Sequence, residues 1–245
     1  DLVLDLRYNG GGYLAIASQV AYMIAGSSAA SGRNFETLQF NDKHPTTNPV
    51  TGGNIEPTPF YGTTIGFSLD EGTELPTLDL PRVYVLTNSD TCSASEAIIN
   101  GLRGIDIEVI QIGNTTCGKP YGFYGFDNCG TTYFSIQFRG VNNKGYGDYT
   151  DGFKPVSSSP EENHEIPGCV IADDFDHLLG DENEARLKAV LDYRSNGGQC
   201  SSGEASSISD LDMLRTSGLG RFSAGAEEDQ LDVPEHPGRL IERPK

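Results

Sequence analysis

Residues 1–12 decide the fold class, and their sequence is DLVLDLRYNGGG. The segment 1–6 is rich in Leu and Val and alternates weakly, which predicts a buried strand. Three consecutive glycines then predict a turn, and a helix is predicted from about Tyr13 to Ala25. A strand, a glycine turn and a helix in succession are the opening of an α/β unit. We therefore predict an α/β fold with a core of β-strands and flanking helices.

The rest of the chain repeats this pattern with longer connections. Strands are predicted at 35–40, 82–87, 107–112 and 131–138, and helices at 95–102 and 181–193. The segments 41–79 and 140–168 lack periodicity and are predicted to be irregular. We assign residues 1–200 to one core and residues 201–245 to a loosely packed polar tail, because the tail is rich in Ser and Gly and then acidic.

The charge balance excludes some partners. The 245 residues include 17 Lys and Arg against 35 Asp and Glu, a formal net charge of -18. Such a surface repels phosphate backbones and anionic lipids, so no nucleic acid is predicted as a partner. No apolar stretch approaches the roughly 20 residues that span a bilayer. The chain opens inside an apolar strand without an initiator Met, so we interpret it as part of something longer.

Five cysteines leave two interpretations open. None of them forms a CxxC pair, so neither a zinc ribbon nor a thioredoxin-type motif is predicted. One or two disulfides with one thiol left over suit an exported protein, whereas scattered reduced cysteines are the alternative. The sequence does not fix the pairing. The five are Cys92, Cys117, Cys129, Cys169 and Cys200.

Three segments at the ends of predicted strands carry candidate chemistry. In the first, 4–12, consecutive glycines can aim backbone N–H groups into a cleft, as an oxyanion requires, although a plain tight turn is the alternative. In the second, 89–97, a serine at a strand–helix junction can project its hydroxyl into a cleft, although helix capping by Ser93 or Ser95 is equally ordinary.

The third segment, 113–120, places Lys119 in a glycine-containing loop. A surface lysine is the common interpretation of such a position. A phosphate-binding loop is excluded because the first glycine is missing and Pro120 stands where a Ser or Thr is required.

Together, the three segments resemble the C-terminal-processing (tail-specific) serine peptidases, peptidase family S41. The resemblance rests on their order and spacing over about residues 1–195, and weaker support comes from Asp151-Gly152-Phe153-Lys154-Pro155 and from Leu179-Gly180-Asp181. The motifs that carry it are Asp5-Leu6-Arg7-Tyr8-Asn9-Gly10-Gly11-Gly12, Ser93-Ala94-Ser95-Glu96-Ala97 and Gly113-Asn114-Thr115-Thr116-Cys117-Gly118-Lys119. This resemblance implies a crotonase/ClpP-like α/β core.

The resemblance also implies roles for individual residues. Ser93 falls on the nucleophile, Lys119 on the general base and Glu96 on a supporting carboxylate. The oxyanion donors fall on the backbone N–H of Ala94 and on that of Gly10 or Gly11, and Asp5 and Arg7 are expected to shape the site. No cofactor and no metal is implied. A lysine acts as a base near neutral pH where burial lowers its pKa from about 10.4 to roughly 7–8.

The implied activity is a serine endopeptidase that cleaves unfolded or C-terminal protein segments through an acyl-enzyme. The implied location is periplasmic or extracellular, and a homo-oligomer is one option. Two departures from the family pattern stand out: Phe123 replaces a glutamine four residues after the lysine, and the chain contains no segment like the family's PDZ domain. If Ser93 and Lys119 are neighbours, Cys92 and Cys117 lie close enough to bridge.

Two other functions stay open at this stage. A catalytically inactive peptide-binding or scaffold module is the first, and the two departures are its basis. An acyl-CoA enzyme on the same fold is the second, although the acidic chain lacks a basic phosphate patch. The four histidines are placed in loops without a strand-end motif. His177 beside Asp173, Asp174 and Asp176 hints at a metal, but solvated acidic loops are common.

Overall fold

A computed structural model describes residues 1–200, which contain three helices and eleven short strands. The helices are α1 (Leu14–Ala30), α2 (Ala94–Gly104) and α3 (Ala185–Ser195). The strands are β1 (Val3–Asp5), β2 (Asn34–Gln39), β3 (Thr58–Pro59), β4 (Arg82–Thr87), β5 (Glu108–Gly113), β6 (Tyr121–Gly122), β7 (Phe126–Asn128), β8 (Thr131–Tyr133), β9 (Phe138–Val141), β10 (Lys154–Val156) and β11 (Glu165–Val170). The predicted tail, 201–245, lies outside the described residues.

The central sheet has five strands in the order β1-β4-β5-β11-β10, and every neighbouring pair is parallel. Parallel strands end at one edge of a sheet, which is where open α/β sheets bind ligands. The three segments singled out in the sequence follow β1, β4 and β5. They therefore meet at this edge although they are distant in sequence.

Helices cover both faces of the central sheet. Alternating side chains of β4 point in opposite directions, so that Val83 and Val85 join one hydrophobic cluster while Tyr84 and Leu86 join another. The first cluster contains apolar residues of α1 and α2, and the second contains those of α3. The α/β fold class predicted from the sequence, with flanking helices, is confirmed.

A second, antiparallel sheet has the order β3-β2-β9-β6, and β7 and β8 form a separate two-stranded hairpin. The prediction of one strand over 131–138 is wrong. The alternating pattern is shared by β8 and by the start of β9, but the ladder with β7 ends at Tyr133 and the chain then pairs with β2. The residues between them connect two different sheets.

The prediction that 140–168 is irregular is also wrong, because β10 and most of β11 lie there. Pro167 and Gly168 interrupt the apolar alternation of β11, which hides this strand from a periodicity search. Gly168 is required by packing, since a Cβ at this position would lie 1.8 Å from the backbone oxygen of Gln111 on β5.

Two helix boundaries differ from the sequence prediction. Helix α1 continues to Ala30 across a break at Gly26, where φ is 81°. Helix α3 starts at Ala185 rather than at Asp181, because Glu184 is its N-cap and accepts the N–H of Leu187. No helix among residues 1–200 is long and apolar enough to cross a membrane.

Candidate active site

Ser93 lies in the turn between β4 and α2 and is fully buried. Its backbone adopts φ 57° and ψ -112°, a conformation that L-residues rarely take. Its Oγ makes no hydrogen bond within the described residues. A buried hydroxyl without a partner and a strained backbone both cost free energy, and such features concentrate at functional sites. The N–H of Ser93 donates to the Glu96 side chain three residues later, as in a capping box, whereas the Oγ makes no cap hydrogen bond and is not satisfied by capping.

The glycine turn after β1 packs directly against Ser93. A Cβ added to Gly11, whose φ is 115°, would lie 2.8 Å from the Cβ of Ser93 and 3.2 Å from the backbone nitrogen of Ala94. Only glycine leaves that space open. The carbonyl oxygen of Asn9 accepts the backbone N–H of Cys92 at 3.0 Å. These contacts fix the glycine turn beside the strand–helix junction.

The two candidate glycine donors differ in their present partners. The N–H of Gly11 donates to Oδ1 of Asn9 at 3.0 Å. A Cβ at Gly10 would meet no atom within 4 Å, so open space adjoins that residue. Of the two glycines, Gly10 therefore has the more accessible surroundings.

Glu96 is fully buried and joins the second and third segments. Its Oε2 accepts the backbone N–H groups of Ser93 at 2.9 Å and Lys119 at 2.8 Å. Its Oε1 accepts the hydroxyl of Thr116 at 2.6 Å and the N–H of Gly118 at 2.8 Å. The carboxylate therefore holds the backbone of the lysine loop. Thr116 had no individual role in the sequence analysis.

A disulfide reinforces the same junction. Cys92 bonds to Cys117, with their Cα atoms 5.3 Å apart, and the N–H of Cys117 donates to the oxygen of Thr91 at 3.1 Å. The bridge links the residue before Ser93 to a residue two positions before Lys119. A second disulfide joins Cys169 to Cys200, and Cys129 is free and exposed. The structure thus adopts the arrangement of two bridges and one thiol.

Lys119 is half-buried, and its Nζ lies 5.7 Å from the centroid of the Phe123 ring. This distance is within the range of a cation–π contact. Phe123 in turn packs edge-on against Phe134 with ring centroids 5.3 Å apart. Because the Oγ of Ser93 makes no hydrogen bond within the described residues, Lys119 and Ser93 are not hydrogen-bonded in this state.

Asp5 and Arg7 belong to a partly buried ion network next to the glycine turn. Arg7 forms ion pairs with Asp5 at 2.7 Å, with Glu184 at 2.8 Å and with Asp173 at 3.4 Å. Partial burial opposes ionisation of Asp5, but hydrogen bonds from Arg7 outweigh it and lower the pKa of Asp5. Hydrogen bonding to Asp5 raises the pKa of Arg7. The network connects β1 to the start of α3.

Tyr8 and Arg186 complete this network. The hydroxyl of Tyr8 donates to Asp173, and partial burial together with that bond raises the pKa of Tyr8 to about 12. Arg186 is fully buried, lies 3.4 Å from Asp173 and donates its Nε–H to the oxygen of Ile171. The partners of Arg7 could not be predicted from the sequence, since more than 160 residues separate Asp173 and Glu184 from it.

Two groups of potential metal ligands do not fit a metal. Cys92, Glu96 and Cys117 place ligand atoms within 4.8 Å of one another, but both cysteines are in a disulfide and four donors occupy the carboxylate. In the acidic loop, His177 forms a hydrogen bond with Asp174 at 2.8 Å, while Asp173 is turned toward Arg7 and Tyr8.

The three segments brought together here fall in one stretch of sequence similarity. The sequence model of peptidase family S41 matches residues 1–123, half of the chain. This chain belongs to peptidase family S41. The matched range includes the glycine turn, Ser93, Glu96 and Lys119, whereas β7 to α3 lie beyond it.

The fold agrees with that of one solved structure. The chain is similar to a putative S41 protease from Bacteroides fragilis NCTC 9343, with 25% identity and a TM-score of 0.57 over 79% of this chain and 44% of that one. It therefore spans less than half the length of that protein. A photosystem II D1 C-terminal processing protease is a more distant neighbour, with 21% identity and a TM-score of 0.41 over 62% of this chain and 33% of that one. No curated protein matches the chain.

Proposed function

We propose that this S41 domain is a serine peptidase in which Ser93 is the nucleophile and Lys119 the general base. One observation carries the proposal. The Oγ of Ser93 is buried and unpartnered, in a strained turn whose backbone shares the Glu96 carboxylate with the backbone of Lys119. A nucleophile and its base need such fixed proximity, and proteins tolerate strain where it supports function.

The first half-reaction balances as an acyl transfer. Lys119, when neutral, takes the proton of Ser93 as the Oγ attacks the carbonyl carbon of a peptide bond. The tetrahedral intermediate then collapses, the C–N bond breaks, and Lys119 returns the proton to the leaving amine. In the second half-reaction, Lys119 takes a proton from water as the water attacks the ester. The proton then returns to the Oγ of Ser93, which frees the serine and releases the acid.

The lysine must move for this reaction. In the resting state its ammonium lies over the Phe123 ring, and the hydrogen bond to Ser93 forms when substrate binds beside Ser93. Glu96 accepts the backbone N–H of Lys119, so this hydrogen bond does not restrict rotation about the side-chain bonds of the lysine. Phe123, which stands where the family has a glutamine, thus stabilises the resting position.

The oxyanion is proposed to form beside Ser93, where Gly11 has no side chain. The N–H of Ala94 borders this space, and the N–H of Gly10 is the proposed second donor because Gly11 donates to Asn9 instead. Each such donor, when removed, costs about 10²- to 10³-fold in rate in other acyl-transfer enzymes.

The proposed substrates are unfolded or C-terminal protein segments, as the S41 family and the name of the D1 C-terminal processing protease suggest. The proposed location is periplasmic or extracellular. Two disulfides support that location, because such bonds persist in oxidising compartments.

The test measures cleavage of a permanently unfolded protein by the parent and by Ser93→Ala and Lys119→Ala variants. The proposal predicts a rate loss of at least about 10³-fold in both, with unchanged circular dichroism. Ser28→Ala and Lys154→Ala are matched controls, since both residues are exposed, and they should retain the parent rate. Parent-like cleavage by Ser93→Ala would overturn the assignment.

The second candidate is an inactive peptide-binding module on the same fold. The contact of Lys119 with Phe123, in place of a hydrogen bond to Ser93, is the observation that favours it. A folded parent that binds the unfolded protein without cleaving it, even after Phe123→Gln, would decide for this candidate.

A further inference from the structure

A cleft of about 780 Å³ lies on the chain segment that follows Lys119. One wall consists of residues 49–51, and the other consists of residues 124–127 together with Gln137. Pockets that bind small ligands or side chains have volumes of roughly 300–1,000 Å³. The cleft belongs to neither the Ser93 turn nor the Arg7 network.

The cleft has a firmly built floor. Tyr124 is 6% exposed, and its hydroxyl accepts a hydrogen bond from the side-chain amide of Asn48 at 2.8 Å. The N–H of Tyr124 donates to Oε1 of Gln137 at 2.9 Å. Oδ1 of Asn48 also accepts the N–H groups of Val50 and Thr51. One buried amide therefore holds both walls, and the cleft exists before any ligand enters.

The rim of the cleft is apolar and accessible. Phe126 is 65% exposed and Val50 is 45% exposed. Phe126 pairs across the hairpin with Tyr133, which is 52% exposed, so the two rings share one face. Exposed apolar groups that surround a concave surface are typical of binding sites.

The position relative to Lys119 indicates what binds there. Tyr124 follows Lys119 by five residues, so the chain between them spans at most about 18 Å. An extended polypeptide of about five residues covers the same distance. The Phe123 and Phe134 rings connect the base of the hairpin with the lysine. A chain bound at Ser93 can therefore reach the cleft with a residue several positions from the cleaved bond.

We propose that this cleft binds a large apolar side chain of an extended polypeptide substrate. This proposal rests on the proposed peptidase function. The cleft is lined by eight residues, whereas a stable contact between two copies involves about 20–30 residues from each. The net charge of -18 further favours polypeptides that are neutral or basic around the apolar residue. The substrate class is thus an unfolded segment with an apolar anchor outside the cleaved bond.

The experiment measures binding in a Ser93→Ala background, so that its readout does not depend on cleavage. The probes are fluorescent, unstructured peptides of about twelve residues, identical except for one position that carries Phe or Ser. We expect the best Phe peptide to bind at least about fivefold more tightly than its Ser counterpart. Phe126→Ser and Val50→Ser should reduce that preference to less than about twofold. Phe175→Ser, at an 83% exposed Phe outside the cleft, should leave it unchanged.

Equal binding of Phe and Ser peptides at every position would overturn the proposal, and so would an equal loss of preference in Phe126→Ser and Phe175→Ser. Sedimentation that shows self-association abolished by Phe126→Ser would assign the cleft to a second copy and would also overturn it. Because cleavage is measured separately with the parent, an inert parent with an intact Phe preference refutes only the peptidase function. Cleavage without any Phe preference refutes only the cleft.

Discussion

Glu96 and Glu184 are both fully buried at the start of a helix, yet their negative charges are compensated differently. Glu96 accepts three backbone N–H groups and one hydroxyl, all uncharged. Glu184 accepts the N–H of Leu187 and pairs with the charged Arg7 at 2.8 Å. The first arrangement holds backbone segments in place, whereas the second joins a strand to a helix through side chains.

This difference separates the candidate site, held by Glu96, from the supporting ion network of Arg7 and Glu184. Backbone donors move only with the chain, so the bonds to Glu96 fix the relative position of the Ser93 turn and the Lys119 loop. An ion pair between flexible side chains tolerates small displacements, but an unpaired buried charge is costly. We therefore expect changes at Glu96 to affect mainly the reaction, and changes at Glu184 to affect mainly stability.

Among the changes that test this comparison, Glu96→Gln has the largest expected effect. The new amide group would face N–H donors at one of the two oxygen positions, so the Ser93 turn and the Lys119 loop would separate. We expect kcat/KM for an unfolded substrate to fall about 10²- to 10³-fold, with a loss of about 2–4 kcal/mol in the free energy of unfolding. Steady-state kinetics and urea unfolding measure the two. Activity within threefold of the parent would contradict the proposed role of Glu96.

The two disulfides provide a second comparison. They close loops of 25 and 31 residues, so chain entropy predicts a similar loss of about 3.5 kcal/mol on removal of either. We expect Cys92→Ser with Cys117→Ser to lower activity about tenfold as well, because that bridge adjoins the proposed catalytic pair. Cys169→Ser with Cys200→Ser should leave the activity of the folded protein unchanged. Equal activity losses in the two double variants would show that the position of the Cys92–Cys117 disulfide beside the proposed catalytic pair does not affect the reaction.

Glu184→Gln is the matched counterpart of the Glu96 variant. It leaves Arg7 buried with less compensating charge, which should cost about 2–3 kcal/mol in unfolding free energy. The activity of the folded protein should stay within about threefold of the parent, measured well below the midpoint of unfolding. A rate loss comparable to that of Glu96→Gln would mean that the ion network acts on the reaction itself.

The smallest expected effect concerns Asp5. Its pKa is lower in the folded than in the unfolded protein, where it is near 3.8, so its contribution is present above that pH and is lost as the pH falls below it. Asp5 is largely solvent-exposed, and screening keeps this contribution under about 1 kcal/mol. Unfolding experiments between pH 2 and 6 should show a shallower acid loss for Asp5→Asn. If the free energy of unfolding of Asp5→Asn fell with acid as steeply as that of the parent, the ion pair between Asp5 and Arg7 would not contribute to stability.

The sequence predicted the parts of the molecule that depend on local patterns. Strands β1, β4 and β5 are apolar runs followed by turns. The three segments after them were recognised by their glycines and by a serine at a strand–helix junction. The meeting of Ser93 and Lys119 segments follows from parallel strands ending at one edge.

Long-range and polar features cannot be recognised from local sequence patterns. Strand β11 was missed because Pro167 and Gly168 disrupt its alternation, although Gly168 is where the backbone of β5 approaches most closely. The pairing of Arg7 with Asp173 and Glu184 spans 166 and 177 residues, and nothing in the sequence distinguishes these acids from their solvated neighbours. The hydrogen bonds of Glu96 to the lysine loop also appeared only in three dimensions.

The most direct test of the central claim is covalent labelling of the parent and of Lys119→Ala with a fluorophosphonate, followed by mass spectrometry of the peptides. Such reagents react with a serine hydroxyl that a base activates, and they form a stable phosphonate ester with loss of fluoride. We predict that the label lies on Ser93 in the parent and is lost in Lys119→Ala, which should remain folded. Labelling of Ser93 at equal rates in both proteins, or no labelling of Ser93 in the folded parent, would contradict the claim that Lys119 activates Ser93.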